Sequence, residues 1–533
     1  MRALLLVAAL LAWAAPAWAT TRAAATCAVA DVNTQIALSS AGDTVTIPAG
    51  DCTWTTAATA LNGVALTGAG SPRIIGRSTS TVTLATGTRV FTVIALNNIT
   101  FSVTAGQTLN IYRVGDRGQF LTGTVTSYAA PTLTMDITSV GSAGNNCSGL
   151  ACPANLWIIM QVCDGTTTTC ITDNVASGAT MLTMTEHTAF RTEISGFKIV
   201  AGTGSGQVIN MAYTSSGKAM LLHDCWIESN QTANIMINSN TNRGVVWNCS
   251  FDSSPGGLGS NLGFQLVGTV NTWTALATMG TADTTGESNV YFEKNDYHTF
   301  LNFFDAGDNG KMVARYSTFN TTGLGTHGPD TGNYGQRHFE AYNNEWIWDR
   351  YGNGTTIPLT RVLYVRGGTF VFTDNAYTLD GTSGSDYALA GVDMTVMNLQ
   401  RNAGPNPCYG APYTVHGENY PAPRQVGFGR VTGAAGNDSI TYKGDIEPAY
   451  IWGNTGTAFP VGTSDFGGVE CTTPDGTAYY VVAGRDYFAD ETAKPSYTKY
   501  TYPHPLASGA VNPAPGVQIG GNVTFGGNAS WGP

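Results

Sequence analysis

The chain of 533 residues is poor in charge and rich in glycine: only 11% of its residues are charged, 65 are glycine, and the formal net charge is -11. Average globular proteins carry roughly 25% charged residues, and this balance favours many short strands and turns. The negative charge argues against nucleic acid as a partner, and it disfavours polyanions unless a cationic patch or a calcium ion intervenes.

Residues 1–19 have the pattern of a secretory signal peptide. Met1 and Arg2 give a positive start, an apolar run follows, and Ala17-Trp18-Ala19 forms an A-x-A cleavage pattern. No later stretch approaches the ~18 to 20 apolar residues of a membrane helix. We therefore expect a mature chain that begins near Thr20 and is secreted, extracellular or periplasmic, with no membrane partner.

The first elements of the mature chain are predicted to be a short helix and two strands. Asp31 is in a position to cap a helix that carries Val32 and Ile36, and the strands cover residues 42–50 and 63–70. An open solenoid needs its first coil covered, because unpaired strand edges invite aggregation. The helix is therefore predicted to be a cap.

Residues from about 100 to 160 interrupt the coil pattern. Their alternation of apolar and polar residues predicts a small antiparallel β insertion. The insertion resembles modules of phage and bacterial surface proteins. Two roles are open: it contacts a partner, or it only decorates the fold.

The centre of the chain repeats. Short alternating segments that place an Asn or Cys before an aromatic residue return mostly every ~22 to 31 residues, the length of one solenoid coil. The segments cover residues 195–199, 223–227, 246–251, 291–297, 315–319, 342–346 and 372–377. Each predicts a strand followed by a turn, and stacking of equivalent positions predicts an internal Asn ladder and an internal aromatic stack.

Ten cysteines follow the predicted cleavage point, and an even number in an exported chain predicts disulfides. Their order suggests the pairs Cys27–Cys52, Cys147–Cys152, Cys163–Cys170, Cys225–Cys249 and Cys408–Cys471, of which Cys225–Cys249 would join adjacent coils. The spacings fit no zinc pattern.

The opening helix and strands, together with segments 420–427, 447–454, 484–487 and 497–506, resemble the first and last coils of secreted bacterial proteins of the pectate-lyase-like superfamily. The resemblance covers most of residues 20–506 and implies an all-β, right-handed parallel β-helix with an N-terminal capping helix. Residues 507–533 form a strand-like tail that could fold back or mediate self-association.

Polar residues concentrate between Asp305 and Glu340, where a β-helix would place loops and outer faces. The candidate residues of this cluster are Asp305, Asp308, Arg315, His327, Asp330, Arg337 and Glu340. The alternative is structural, with His327 and Asp330 ordering their own loop and Arg337 pairing with Glu340 across coils. Arg366, on a later coil, is interpreted as part of a cationic strip or of a surface pair.

Two chemistries fit this cluster. The resemblance implies a lyase with Arg315 or Arg337 as base and with Asp305, Asp308 or Asp330 on calcium or substrate. A glycoside hydrolase would need two carboxyl groups from Asp305, Asp330 and Glu340. His327 stands in the same predicted catalytic set.

The chain departs from the motifs of pectin-active relatives. It lacks the R-x-P-x-x-R motif of pectate lyases, and Gly325-Thr326-His327-Gly328 interrupts the G-H-G motif of polygalacturonases. Three hypotheses remain: a lyase or hydrolase acting on an extracellular polysaccharide, a non-catalytic adhesin or fibre-forming protein, and a glycan-binding module without activity.

Overall fold

The computed structural model describes residues 19–508 except for 95–100, 114–115, 143–156, 177, 202–206, 215, 230–234, 254–261, 269–277, 299, 301, 308, 321, 327–335, 350–360, 381–390, 395–425, 428–445, 457–460 and 464–482. These residues form a parallel β-helix with a small antiparallel barrel inserted near its N-terminal end. The predicted fold class is therefore confirmed. The predicted signal peptide, apart from Ala19, lies outside the described residues.

Each coil of the helix contributes one strand to each of three parallel sheets, in the order A, B, C. Sheet A contains Thr21–Ala23, Thr44–Ile47, Ala65–Gly68, Glu193–Ser195, Met220–His223, Gly244–Trp247, Val290–Glu293, Lys311–Arg315, His338–Tyr342, Thr369–Thr373, Ala449–Trp452 and Tyr487–Phe488. Sheet B contains Gly50–Trp54, Thr169–Asp173, Lys198–Ala201, Trp226–Ser229, Ser250–Ser253, Asp296–His298, Thr318–Asn320, Glu345–Asp349, Ala376–Asp380 and Thr455–Gly456. Sheet C contains Leu61–Asn62, Thr180–Thr185, Gln207–Ala212, Ile235–Ser239, Leu262–Val267, Asn302–Gly307, Leu324–Thr326, Arg361–Val365, Gly391–Met394 and Val461–Thr463.

The turn from sheet A to sheet B is the same in seven coils. One residue adopts a left-handed backbone with φ between 51° and 64°, and the next residue points into the core. The left-handed residues are Asp224, Asn248, Lys294, Tyr316, Asn343, Asp374 and Gly453. This single-residue turn explains the repeat in the sequence, because each coil changes direction at the same point of its pattern.

The residues that follow these turns form the predicted internal ladder. The backbone N–H of Asn344 donates to Oδ1 of Asn375 at 3.0 Å, and the N–H of Asn375 donates to Oδ1 of Asn454 at 3.0 Å. Asn295 and Ser317 continue the ladder towards the N-terminus. The ladder satisfies buried backbone donors that the turn leaves without a sheet partner.

The predicted aromatic stack is also present, inside sheet B. Phe251, Tyr297, Phe319 and Trp346 lie in consecutive coils, with ring centroids 4.5–5.5 Å apart and ring planes within 15° of parallel. All four side chains are buried. The stack therefore fills the core at the strand spacing of the sheet.

Cysteine pairing is confirmed in part. Disulfides join Cys27 to Cys52 and Cys163 to Cys170, with Cα–Cα distances of 5.9 and 6.2 Å. Cys147, Cys152, Cys408 and Cys471 lie outside the described residues.

The predicted disulfide between Cys225 and Cys249 is wrong for this structure, in which both are buried free thiols. They occupy the two ladder positions before Asn295, and Sγ of Cys249 lies 3.4 Å from the carbonyl oxygen of Trp247. The oxygen of Asn295 accepts from the N–H of Cys249 at 2.8 Å. The thiols therefore take the place of asparagines in the ladder.

The antiparallel insertion is a closed six-stranded barrel with its own core, and it begins earlier than predicted, at Ile74 instead of about residue 100. Its strands are Ile74–Ser78, Gly87–Ile94, Thr108–Arg113, Asp116–Ala129, Thr132–Ser142 and Trp157–Gln161. The barrel packs on the outer face of sheet B through Ile74, Ile158, Met160, Trp226 and Ile347.

Two further segments complete the described fold. The predicted capping helix is Val29–Leu38; its N-cap is Ala28, and Asp31 lies in the first turn instead. Val32 and Ile36 of this helix are buried against the first coils. No helix in the described part of the chain is long and apolar enough to cross a membrane.

The segment 494–508, which we call the strap, crosses the outer face of sheet A. The ring of Tyr497 meets that of Trp452 near the C-terminal end of the sheet, at 5.7 Å. Leu506 packs against Ala219, Leu221 and Val245, several coils earlier. The strap thus runs back along the helix and covers the later part of sheet A.

Candidate functional site

Arg315, one of the two predicted bases, lies beneath the strap and is fully buried. Its Nε donates to Oε2 of Glu293 at 2.9 Å, and Nη2 lies 2.7 Å from the same oxygen. Nη1 donates to the hydroxyl of Tyr342 at 2.9 Å and to the carbonyl oxygen of Tyr500 at 2.8 Å. Burial acts to lower the pKa of Arg315, but Tyr342 and Glu293 outweigh it and raise the pKa above its ordinary value. A permanently protonated, enclosed guanidinium does not suit a base, so the contacts of Arg315 are those of an anchor for the strap.

Glu340 also lies under the strap. Its carboxylate accepts from the hydroxyl of Tyr497 at 2.6 Å and from the N–H of Gly280 at 3.2 Å. Burial raises the pKa of Glu340 to about 7, against the lowering effect of these hydrogen bonds. This carboxyl ties three segments together and, being 2% exposed, does not reach a polymer outside the protein.

Arg337 forms an ion pair, but not with Glu340 as the structural alternative predicted. Its guanidinium contacts both carboxylate oxygens of Glu447, at 2.7 and 2.9 Å, and its side chain is fully buried. The partner lies 110 residues away in the chain. The three described members of the predicted catalytic set therefore belong to the packing of sheet A, while His327 and Asp330 lie outside the described residues.

Asp305 lies on a different face, the outer face of sheet C. Its carboxylate accepts from Nη2 of Arg366 at 3.3 Å and from Nε2 of Gln265 at 3.4 Å. Arg366 also donates through Nε to the carbonyl oxygen of Thr326, the residue before His327. The polar cluster predicted from the sequence therefore divides between sheets A and C. Asp305 is its described member on sheet C, the sheet whose strand Leu324–Thr326 precedes His327 in the chain.

The calcium site predicted at Asp305 and Asp308 stays a prediction, and its described member, Asp305, already has protein partners. The oxygens of Asp305 face the cationic group of Arg366 and the amide donor of Gln265, which would compete with a metal ion. Asp308 lies outside the described residues. In the part of the chain that the structure describes, no three His, Cys, Asp or Glu side chains are grouped to hold a metal.

The outer face of sheet C carries a polar row that sequence analysis missed, which we call the amide row. Strand register aligns Thr183, Asn210, Asn238, Gln265 and Asp305 in consecutive coils. Their neighbours one residue along each strand, such as Ile209, Ile237 and Phe264, point into the core. Alternation of this kind is the signature of a half-buried strand.

The amide row is open to solvent at its centre. Thr183, Asn210, Asn238 and Gln265 are half-buried, whereas Asp305 is 9% exposed. With strands about 4.8 Å apart, five positions in register span about 19 Å along the helix axis. The row continues in register through Gly325 to Tyr364, which is almost buried.

The amides of the row are partly paired among themselves. Nδ2 of Asn238 donates to Oδ1 of Asn210 at 3.2 Å. Each amide offers two donor hydrogens and one acceptor oxygen, so within the described part of the chain this pairing leaves Nδ2 of Asn210 and Oδ1 of Asn238 available. A row that offers donors and acceptors alternately is suited to hydroxyl groups, which do both.

A second polar row lies on sheet B, where Asp252, His298 and Asn320 are aligned by register. All three are almost completely buried, and the side-chain amide of Asn320 has no hydrogen-bond partner among the described residues. Burial raises the pKa of the neighbouring Asp296 to about 7. The row is closed to a polymer, so the amide row remains the candidate site.

One ionic cluster connects the barrel to the helix. Nδ1 of His223 lies 2.7 Å from Asp224 and Nε2 lies 3.1 Å from Glu193, while its ring stacks on Trp247 at 4.0 Å. Burial acts to lower the pKa of His223, but the two carboxylates outweigh it and raise the pKa to about 9. Asp224 also binds Arg73 at the base of the barrel, so the imidazolium supports the contact between the two parts.

No protein-family model matches the chain, and no curated protein is similar to it at a significant level. The solved structures that are similar to the chain at low level include two phage tailspike proteins. The tailspike protein gp49 from Pseudomonas phage LKA1 is 12% identical, with 69% of this chain and 75% of that chain covered and a TM-score of 0.17. The Gp54 tailspike of Acinetobacter baumannii bacteriophage AP22, in complex with A. baumannii capsular saccharide, is 10% identical, with 69% and 66% covered and a TM-score of 0.15.

Because these similarities are low, the fold is assigned from the strand register of this chain alone. Three sheets with parallel register throughout define the β-helix without reference to another protein.

Proposed function

We propose that this is a secreted, carbohydrate-active β-helix protein that binds an extracellular polysaccharide along the outer face of sheet C. The amide row carries the proposal: the side chains of Asn210, Asn238 and Gln265 are half-buried, and their register places them in a line parallel to the helix axis. A linear polymer of hydroxyl-bearing units can make the same contact on each successive coil.

The position of the row on a rigid sheet supports binding. Its backbone is fixed by sheet hydrogen bonds on both sides, and the core side of the same strands is filled by buried apolar side chains. The amides are therefore ordered before a ligand arrives, which lowers the entropy cost of binding.

Secretion is part of the proposal. The disulfides Cys27–Cys52 and Cys163–Cys170 support folding in an oxidising compartment. The signal-like residues 1–19 point to the same route.

Cleavage of the bound polysaccharide, by a lyase or a hydrolase reaction, is the second part of the proposal. Hydrolysis needs two carboxyl groups. In the outer row of sheet C, Asp305 is held by Arg366, and strand register places Asp393 in the same row, next to Tyr364. His327 and Asp330, which follow the sheet C strand Leu324–Thr326 in the chain, are the other candidates for lyase or hydrolase chemistry. Binding is the activity that the described geometry supports best.

Affinity electrophoresis of the purified chain through gels containing single polysaccharides tests the proposal. We expect retardation by at least one polysaccharide, and weaker retardation of a variant with Asn238→Leu. Gln35→Leu, a change from amide to leucine on the capping helix, is the matched control and should migrate like the parent. Equal retardation of the parent and Asn238→Leu would show that the polymer binds elsewhere.

A further inference from the structure

The described charges on the outer face of sheet C cancel locally. Among its described side chains, Asp305 is the carboxylate of the row and Arg366 the cation beside it, and they contact each other at 3.3 Å. The remaining positions of the amide row, Thr183 to Gln265, are neutral.

Arg366 is not arranged to bind a carboxylate of a ligand. Its Nη2 donates to Asp305 and its Nε to the carbonyl oxygen of Thr326, and the guanidinium lies 5.5 Å from the centre of the Tyr364 ring. The side chain is also almost buried, at 9% exposure. A uronate binding here would have to break this pair and meet the negative charge of Asp305.

The hydrogen-bonding groups of the open part of the row suit neutral sugars. Nδ2 of Asn210 is a donor and Oδ1 of Asn238 is an acceptor. The other atoms of the two amides, Nδ2 of Asn238 and Oδ1 of Asn210, are hydrogen-bonded to each other. A hydroxyl group uses both a donor and an acceptor, whereas a carboxylate only accepts. A carboxylate would leave the oxygens of the row unpaired and facing negative charge.

The charge of the whole chain acts in the same direction. A formal net charge of -11 repels a polyanion at long range, and attraction would need a cationic stripe. Among the side chains that the structure describes on the sheet C face there is no such stripe, since Arg366 is neutralised by Asp305.

We propose that the ligand of the sheet C face is a neutral polysaccharide, recognised through its hydroxyl groups by the amides of Asn210, Asn238 and Gln265. This inference rests on the proposed function and names its substrate class. It departs from the uronate polymers that the resemblance to pectate-lyase-like proteins implied.

Binding of two groups of polysaccharides by the full mature chain tests the inference. The neutral group contains a mixed-linkage β-glucan, a galactomannan and dextran, and the acidic group contains alginate and polygalacturonate. Affinity is measured by gel retardation at 50 and 500 mM NaCl. We expect a neutral member to bind best, with an affinity that changes less than about threefold with salt because few ions are released.

The double variant Asn238→Leu/Gln265→Leu should weaken binding of the neutral polysaccharide by about tenfold or more, since two hydrogen-bonding groups are lost. Gln35→Leu should leave it unchanged. Asn238→Ala is the second variant, because its smaller side chain on an outer face is compatible with folding even where leucine is not. Circular dichroism of each variant checks that the β-helix is intact.

The outcomes separate the two proposals. Preference for alginate or polygalacturonate, lost at 500 mM NaCl and weakened by Asn238→Ala, overturns the neutral substrate class but keeps binding at the amide row. Absence of binding to both groups, or binding that none of the amide variants changes, overturns the proposed function itself.

Discussion

Single buried ionisable residues set how the protein should respond to pH. Glu340 is the clearest, because its carboxyl is buried at the junction of sheet A, Gly280 and Tyr497 and has a pKa of about 7 instead of its usual 4.5. The folded state therefore holds this proton more tightly than the unfolded chain. Stability from this group is complete below about pH 4.5 and is lost as the pH rises through 7.

Glu340→Gln should flatten that dependence. We expect the parent to lose at most about 3 kcal/mol of unfolding free energy between pH 5 and pH 8 through this group, and the variant to lose clearly less. Urea denaturation at both pH values measures the difference. Parallel pH profiles of the parent and the variant would show that Glu340 does not titrate in this range.

His223 should act in a higher pH range. Its pKa of about 9 lies above the usual 6.5, so its stabilising effect is complete below about 6.5 and is lost as the pH rises through 9. We expect thermal stability to fall between pH 7 and pH 10 in the parent, and the fall to be smaller in His223→Gln. NMR titration of the imidazole gives the pKa directly, and a value near 6.5 would contradict the ionic contacts with Glu193 and Asp224.

The environments of these residues could not be predicted from the sequence, because their partners are remote. Arg315 binds the carbonyl oxygen of Tyr500, 185 residues later, and Glu340 binds Tyr497, 157 residues later. The sequence shows a polar cluster at residues 305–340, but alternation along a strand does not show which later segment covers a given face. This is why the contacts of Arg315 and Glu340 with the strap were not predicted.

At the scale of elements, the turn between sheets A and B combines a left-handed residue with a ladder residue that hydrogen-bonds to the neighbouring coil. Asn344 shows how: its side chain accepts from the N–H of Ser317 at 3.0 Å and donates to the carbonyl oxygen of Ala314 at 2.9 Å. Sequence analysis predicted this ladder because the pattern is local and repeated. The amide row was missed because its members are single polar residues in strands whose register a sequence alone does not specify.

Asn344→Ala should destabilise the protein by about 2 to 4 kcal/mol, because buried backbone groups at Ser317 and Ala314 lose their partners. Asn454→Ala is the comparison, since this residue lies at the end of the ladder and is half-buried. We expect the second change to cost less. Chemical denaturation of both variants measures the order, and equal costs would argue against a cooperative ladder.

At the scale of the whole molecule, the barrel is a side branch of the β-helix. Its two ends meet, since the N–H of Gln161 donates to the carbonyl oxygen of Arg73 at 2.9 Å, and the helix resumes its coil directly afterwards. The sequence predicted an antiparallel insertion but placed its start late. The strands Ile74–Ser78 and Gly87–Ile94 are assigned to the barrel by their antiparallel pairing, which the sequence does not specify.

Replacing residues 74–160 by two glycines should therefore leave a folded β-helix. The cost should be a lower melting temperature, because Trp226 and Ile347 lose their apolar cover and Glu345 loses its ion pair with Arg77. Circular dichroism and thermal melting of the deletion variant test this. A chain that does not fold would show that the barrel is needed to form the first coils.

The strap also limits how this protein can change in length. A bare solenoid gains or loses coils freely, because each coil contacts only its neighbours. Here the strap is attached to Trp452 at one end and to the region of Ala219 at the other, so one extra coil between them would move the attachments apart by about 4.8 Å. The strap therefore fixes the number of coils between its two attachments. Duplication of a coil should be tolerated before Ala219 and should be selected against between Ala219 and Trp452.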